Sequence, residues 1–427
     1  MVSSDRQQLD GRLSLTFITA FLICMPFLKI LPFSAEAQPL FLVPMLFVLF
    51  RSLRFQRFLI FYLVILFFFT FTGFSRYDAY SVFASFVAIF TPLITFYYVR
   101  NFDSIRLSKY ILVFQFLFLL VALIQEYFPP SVSASILYPL NILIPRLTTS
   151  PLSEFQRGIS IVASEPSAMT PLIFMTFALS YYLYVKKEIS KFYFFLSSLI
   201  SIYLGILTMA LTFFITVFYI VFGIGAFYFL RLSPLRIIYF SFFSAVIAIS
   251  LYFTGAIPER FIELVNVLFP LNLDFFVVLN EASGSRIGIT LGPYCNFFNF
   301  GEYFYALGAW SENFLNSTSC LPFELEKTGF FVLTEAQNIK PISLPSLLLV
   351  DIGFFAILIF IVLLIFLFRS FVVCNRSRQS ISFGIISTCI ASIFIGGFPL
   401  SMPHFWIVLV IFLKELSIVG NDSPAKV

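Results

Sequence analysis

The chain has 427 residues, of which 60% are hydrophobic and 11% charged, with 63 Phe, 20 Tyr and a formal net charge of +5. A mean hydropathy of +0.99 excludes a water-soluble globule, because so few polar side chains cannot cover a solvated surface. The basic residues fall in short turns between apolar runs and form no groove-sized cationic patch, so nucleic-acid binding finds no support.

Long apolar runs recur from one end of the chain to the other. At about 20 apolar residues per crossing, spans are predicted at 13–30, 39–50, 58–74, 80–99, 110–128, 168–185, 192–207, 210–230, 237–253, 344–368, 381–398 and 404–419. The run 192–230 is too long for one crossing and is predicted to turn back near Thr208, whereas 39–50 is short enough to be re-entrant. Runs such as 58–74 do not alternate, which argues against barrel strands. The expected fold is all-α: a polytopic transmembrane helical bundle of about 12 spans with one large extracytoplasmic loop. Three regions follow: membrane helices over 1–254 with a medium outer loop at 129–167, the large loop at 255–343, and closing membrane helices over 344–427.

The turns assigned to one side hold 18 of the 26 Lys and Arg but only 6 of the 21 acids. Arg100, Arg106, Lys109, Lys186, Lys187, Arg376, Arg378 and Lys414 are among them. Cytoplasmic loops carry such an excess, so both termini are expected in the cytoplasm. Ala35-Glu36-Ala37 has the look of a signal-peptidase site. The preceding run is long, is interrupted by Pro26 and Lys29, and lacks a strongly basic start, so the first span is expected to be retained.

Two outward segments break the pattern of tight turns. The first, 129–167, is proline-rich and carries Arg146, Glu154, Arg157 and Glu165. The second, 255–343, is long enough for a small extramembrane subdomain; 259–268 has the pattern of an amphipathic helix, and 275–279 is apolar but too short to cross. Aromatic residues crowd 294–310, which suits either a segment packed on the membrane surface or a sugar-stacking platform. Cys295 and Cys320 lie in this loop and are open to two readings, a disulfide or two free thiols. Cys24, Cys374 and Cys389 lie in or beside apolar runs and read as small fillers. No metal-ligand spacing occurs, no nucleotide-binding loop is evident, and the two halves show no convincing repeat.

Charges at a membrane mouth answer either to a structural need or to a polar ligand. Arg157-Gly-Ile-Ser-Ile-Val-Ala-Ser-Glu-Pro-Ser167 puts a cation, a glycine and a carboxylate just before an apolar run. On one reading Ser164 caps the next helix, Pro166 occupies its first turn and Glu165 complements the dipole. On the other, the helix N-terminus holds an anionic ligand, Arg157 grips phosphate oxygens and Glu165 activates an acceptor hydroxyl. Arg286 sits in the Gly/Ser cluster Ser283-Gly-Ser-Arg-Ile-Gly288, either a flexible turn or a loop that brings a guanidinium to phosphate. Asp351, predicted several residues inside the span 344–368, should face a polar cavity or an arginine, since an unpaired acid at mid-bilayer costs about 2.5–3.5 kcal/mol. The sole histidine, His404, opens the last span, as an anchor or as a base.

Taken together, these features resemble Wzy-type polymerases, the bacterial O-antigen and capsular repeat-unit polymerases. The matching residues are Arg157, Gly158, Glu165, Pro166 and Ser167, then Ser283–Arg286, then Asp351-Ile-Gly353. The related O-antigen ligases carry a histidine in the large outer loop; 255–343 contains none, which favours a polymerase. The resemblance implies undecaprenyl-diphosphate-linked oligosaccharide as substrate, membrane lipids around it, a chain-length regulator protein as partner, and no cofactor or metal. It places Glu165, Arg157 and Arg286 in the catalytic site and Arg146, Ser164, Ser167, Asp351 and His404 in substrate binding. The location it implies is the bacterial inner membrane. The rival readings are a ligase-like glycan transferase and a flippase for lipid-linked oligosaccharide.

Overall fold

Inside a bilayer no water can pair with backbone amides, so apolar runs close their own hydrogen bonds as helices. The computed structural model describes residues 15–29, 38–52, 57–144, 159–163, 166–208, 210–229, 306–311, 343–353, 356–395 and 402–416, and helix is the only regular secondary structure among them. The helices are α1 (Leu15–Cys24), α2 (Leu42–Ser52), α3 (Arg57–Phe74), α4 (Ala79–Asn101), α5 (Ser104–Tyr127), α6 (Pro130–Ile136), α7 (Tyr138–Leu143), α8 (Thr170–Val185), α9 (Lys191–Thr208) and α10 (Leu211–Phe229). After the large loop come α11 (Leu344–Ile352), α12 (Ala356–Ser377), α13 (Ser380–Ile395) and α14 (His404–Glu415). Six helices among the described residues are long and apolar enough to cross a membrane. The predicted span 237–253, most of the large loop with its amphipathic helix, and Cys295 and Cys320 lie outside the described residues.

Sequence punctuation accounts for many boundaries. Asp78 caps α4 by accepting from Ser81 N–H, Asp103 caps α5 through Ile105 and Arg106 N–H, and Ser343 caps α11 through Ser346 N–H. α8 and α12 end on left-handed basic residues, Lys187 (φ 60°) and Arg378 (φ 58°), at positions where glycine is usual. Each is followed by an amide that reaches back five residues, Glu188 to Leu183 O and Gln379 to Cys374 O. The run 192–230 does turn back at Thr208, between α9 and α10.

Two expectations need correction, and the medium loop gains detail. The 13–30 span stops as helix at Cys24, ahead of Pro26, which cannot donate to the ladder. The medium loop 129–167 contains two short helices, α6 and α7, each with proline in its first turn. The span 344–368 is not continuous: α11 ends at Ile352, and Gly353 takes a left-handed φ of 53° before α12 begins. Gly353 is the residue type that tolerates that backbone without a Cβ clash.

α8 and α14 form the centre. α14 buries Phe405 and the whole run from Ile407 to Leu413, packed on α4, α8 and α13. α10 and α12 turn Phe218, Phe222, Leu364 and Phe368 outward, as lipid-facing helices do. Lipid is as apolar as the helices, so packing and interhelical hydrogen bonds hold such a bundle. Gln115 on α5 illustrates both: it donates to Ser197 O and Ser201 Oγ at 2.8 Å and accepts from Ser197 Oγ at 2.6 Å, all on α9.

Three ion pairs gather at one end. Lys109 pairs with Glu188 at 2.7 Å, Lys186 with Glu415, and Arg106 with Asp103 at 3.0 Å. The Lys414 ammonium donates to the carbonyls of Val99 and Phe102, closing the C-terminus of α4. The ends of α4, α8 and α14 and the starts of α5 and α9 therefore share one side. The charge count grouped the same helix ends together.

Candidate functional site

The opposite end holds the start of α8, the most buried of the long helices. Before it, residues 159–163 run through the bundle rather than over it: Ile159, Ser160, Ile161, Val162 and Ala163 are all buried. Such a segment must find partners for its backbone. Ile159 N–H donates to Leu207 O at 3.1 Å, and Ala163 N–H donates to Ser160 O at 2.9 Å. Ile161 is gripped on both sides by one side chain. Its N–H donates to Gln125 Oε1 at 3.0 Å, and Gln125 Nε2 donates to its carbonyl at 3.1 Å.

Ile161 has φ 55°, an unfavourable backbone for a β-branched residue. Strain of about 1–3 kcal/mol is typical of such positions and persists only where the surroundings enforce it. Here Gln125 and full burial enforce it. Two residues before the segment 159–163 stands Arg157, and just after it stand Ser164 and Glu165. Those three residues, with Arg146 and Arg286, lie outside the described residues. Pro166 opens a 3-10 turn, Pro166–Met169, that leads into α8. Ser167 is in that turn, where its carbonyl accepts from Thr212 Oγ1 at 3.4 Å, and Thr212 also meets Thr170 Oγ1 at 3.0 Å. The hydroxyl pair joins the start of α8 to the start of α10.

Asp351 occupies a different part of the bundle. It is fully buried one residue before the end of α11, and a piece of the large loop is packed against it. Trp310 N–H donates to Asp351 Oδ1 at 3.2 Å, and Ala306 N–H donates to the Asp351 carbonyl at 2.9 Å. The Ser85 hydroxyl on α4 and the amides of Gly308 and Ala309 also face the carboxyl, though Oδ2 closes no well-aligned hydrogen bond with any described residue. The expected arginine partners are outside the described residues; those described are backbone amides and a hydroxyl.

Trp310 also revises the aromatic stretch 294–310. It is buried, with its indole Nε1 donating to Ser85 Oγ at 3.0 Å, so it is neither on the membrane surface nor free to stack a sugar. His404, at the start of α14, is likewise fully buried, and its Nε2 lies 2.9 Å from the carbonyl of Ile23 at the end of α1. A carbonyl only accepts, so Nε2 carries the proton in that contact. Nδ1 has no hydrogen-bond partner among the described residues. This geometry is that of a tie between α14 and α1.

Ser167 thus lies with α8 and α10, Asp351 with α4 and the loop residues 306–310, and His404 with α1. Sequence reasoning did not single out Gln125, Trp310 or Ser85. For Gln125 a signal existed, since an amide within an apolar run must be bonded to something. Among the described residues no group of three or more His, Cys, Asp or Glu is placed to hold a metal ion. No family model, no curated protein and no solved structure matches the chain.

Proposed function

We propose that the protein is a polysaccharide polymerase of the bacterial inner membrane, with about 12 spans and both termini in the cytoplasm. It joins undecaprenyl-diphosphate-linked oligosaccharide units at the outer face. The growing glycan leaves its lipid diphosphate and passes to a sugar hydroxyl of a new lipid-linked unit. Arg157 and Arg286 stabilise the diphosphate, which gains charge as the bond breaks. Glu165 accepts the proton of the attacking hydroxyl.

The observation that carries this reading is the clamp on Ile161. A strained, buried segment directly before the innermost helix is held by Gln125, between Arg157 on one side and Glu165 on the other. Catalytic groups need fixed placement, and the buried, clamped residues 159–163 lie between the two charges in the sequence. The segment lies at the end of the bundle away from the basic cluster, which is the outer end under the positive-inside rule. The resemblance of Glu165-Pro166-Ser167 and Asp351-Ile-Gly353 to the polymerase pattern supports the same assignment, and the absence of histidine from 255–343 favours it over a ligase.

A second reading, flipping of a lipid-linked oligosaccharide, draws on one feature: the helix broken at Gly353 beside a buried acid, since interrupted helices recur at transporter sites. One experiment separates the two. Arg157→Ala, Glu165→Ala and Arg286→Ala are each expected to abolish long surface polymer and to leave single-repeat glycan outside the inner membrane. Long polymer retained in all three variants overturns the polymerase reading, and glycan trapped on the cytoplasmic face points to flipping.

A further inference from the structure

The segment 306–311 is the described portion of the large loop that reaches into the bundle, and its fit is close. Ala306 through Trp310 are buried. Leu307 N–H donates to the Phe69 carbonyl on α3 at 3.2 Å, Ala306 N–H to the Asp351 carbonyl on α11, and Trp310 Nε1 to Ser85 on α4. Three helices are thus bonded to six residues of one loop. Glycines make the approach feasible: a Cβ at Gly73 would fall 2.3 Å from Leu307 O, and one at Gly308 would fall 2.9 Å from Val82 N. Gly308 also has φ 89°, which side chains rarely adopt. The segment closes on itself through Ser311, whose hydroxyl donates to Gly308 O at 2.8 Å.

Asp351 is a buried acid at this junction, and its Oδ1 takes the Trp310 amide. Backbone N–H groups in a buried loop need an acceptor, and losing one costs about 1–3 kcal/mol. We propose that residues 306–311 are an anchor that seats the large loop in the bundle, and that Asp351 is the positioning residue that locks it, working as a hydrogen-bond acceptor for the loop backbone and not as a counter-ion or an acid. The loop then hangs from a fixed point between α3, α4 and α11, and both of its arms leave from that point. Arg286 stands 20 residues before Ala306 in the sequence, so a loop seated at 306–311 limits by chain length how far that residue can lie from the bundle. This consequence for activity rests on the polymerase reading; the anchor itself does not.

Trp310 provides the test, because the chain has only two tryptophans, Trp310 and Trp406. In a Trp406→Phe background, Trp310 emission and its quenching by iodide report whether the segment is seated. The parent is expected to show a shielded, blue-shifted indole. Asp351→Asn keeps an acceptor oxygen without charge and should look like the parent. Asp351→Ala removes the acceptor and should raise the quenchable population about tenfold, the equivalent of one lost backbone partner. Gly308→Ala should expose Trp310 with Asp351 intact, and it carries the test if Asp351→Ala fails to accumulate in membranes.

An Asn variant that behaves like the Ala variant shows that charge is what matters and overturns the proposal. A shielded Trp310 in both Asp351→Ala and Gly308→Ala overturns the anchor. Polymer formation in membrane vesicles is the second readout: Gly308→Ala, which leaves Asp351 intact, should fall about 100-fold together with Asp351→Ala, as misplacement of a distant support can. Quenching as expected in a parent that makes no polymer supports the anchor and sinks the polymerase reading alone.

Discussion

Replacing Gln125 with leucine is expected to free the segment before α8. The amide of Gln125 makes two hydrogen bonds to Ile161, at 3.0 and 3.1 Å, and Ile161 is 0% exposed. Leucine fills similar space but leaves a buried N–H and a buried C=O without partners. Each such group costs about 1–3 kcal/mol. Gln125 itself is only half-buried, so water can reach part of the vacated site and the low end of the range applies, about 2 kcal/mol in all. At 1.36 kcal/mol per factor of ten, that is about a 30-fold rise in the open population. The left-handed backbone of Ile161 adds to the effect, because opening releases its strain. The assay is the maleimide labelling rate of Val162→Cys, a fully buried position, in a background lacking the five native cysteines. Gln125→Glu, which keeps the acceptor for Ile161 N–H and loses the donor to its carbonyl, should fall between parent and Gln125→Leu. If Gln125→Leu labels within about twofold of the parent, below the cost of even one lost partner, the clamp does not hold the segment.

Four further outcomes follow from the packing and capping. Gln115→Leu removes three hydrogen bonds between α5 and α9; at about 0.6 kcal/mol each the melting midpoint in detergent should fall measurably, and an unchanged midpoint refutes their role. Gly223→Leu should destabilise the α10–α13 contact by about 1–3 kcal/mol, since even a Cβ there would meet Ser387 Oγ at 2.1 Å and Gly384 Cα at 3.1 Å; wild-type melting would contradict the close crossing. Lys414→Met keeps the aliphatic stem but leaves the carbonyls of Val99 and Phe102 without their cation, at about 2 kcal/mol, read as faster amide exchange in the last turn of α4. At the other end of α4, slight burial pushes the Asp78 carboxyl up, but hydrogen bonds from Ser81 and the Tyr80 amide outweigh it and hold it below the usual carboxylate range. Its capping contribution is therefore present above the unfolded-state carboxylate value and is lost as pH falls through the lowered folded value. Ser81 exchange should rise in that acid window in the parent, and Asp78→Asn should abolish the pH dependence.

Much of the helical layout was legible because lipid imposes it. Apolar length predicts helices such as α3, α9 and α10, and the turn near Thr208 follows from a run too long for one crossing. The break at Gly353 was not legible, since an apolar run reads the same whether it crosses once or stops and restarts. Asp351 was correctly picked out as a costly residue, but its partners come from a loop some 40 residues away in sequence, and periodicity carries no information about such contacts. Trp310 was misread for the same reason: aromatic composition favours interfaces on average, and one indole bonded to Ser85 departs from that average.

The amino-acid sequence by itself determined that this chain lives in a membrane and which helix ends share a side, because hydrophobic length and the placement of Lys and Arg are set residue by residue. It also marked Arg157–Ser167 as a stretch that needs explaining. Tertiary structure alone decided how that stretch is held, with its centre buried and fastened by Gln125 from a different helix. It likewise decided that Asp351 receives loop amides and that His404 ties α14 to α1. The physical reason is common to all three: a buried polar group must be paired, but which distant residue pairs with it depends on how the helices pack.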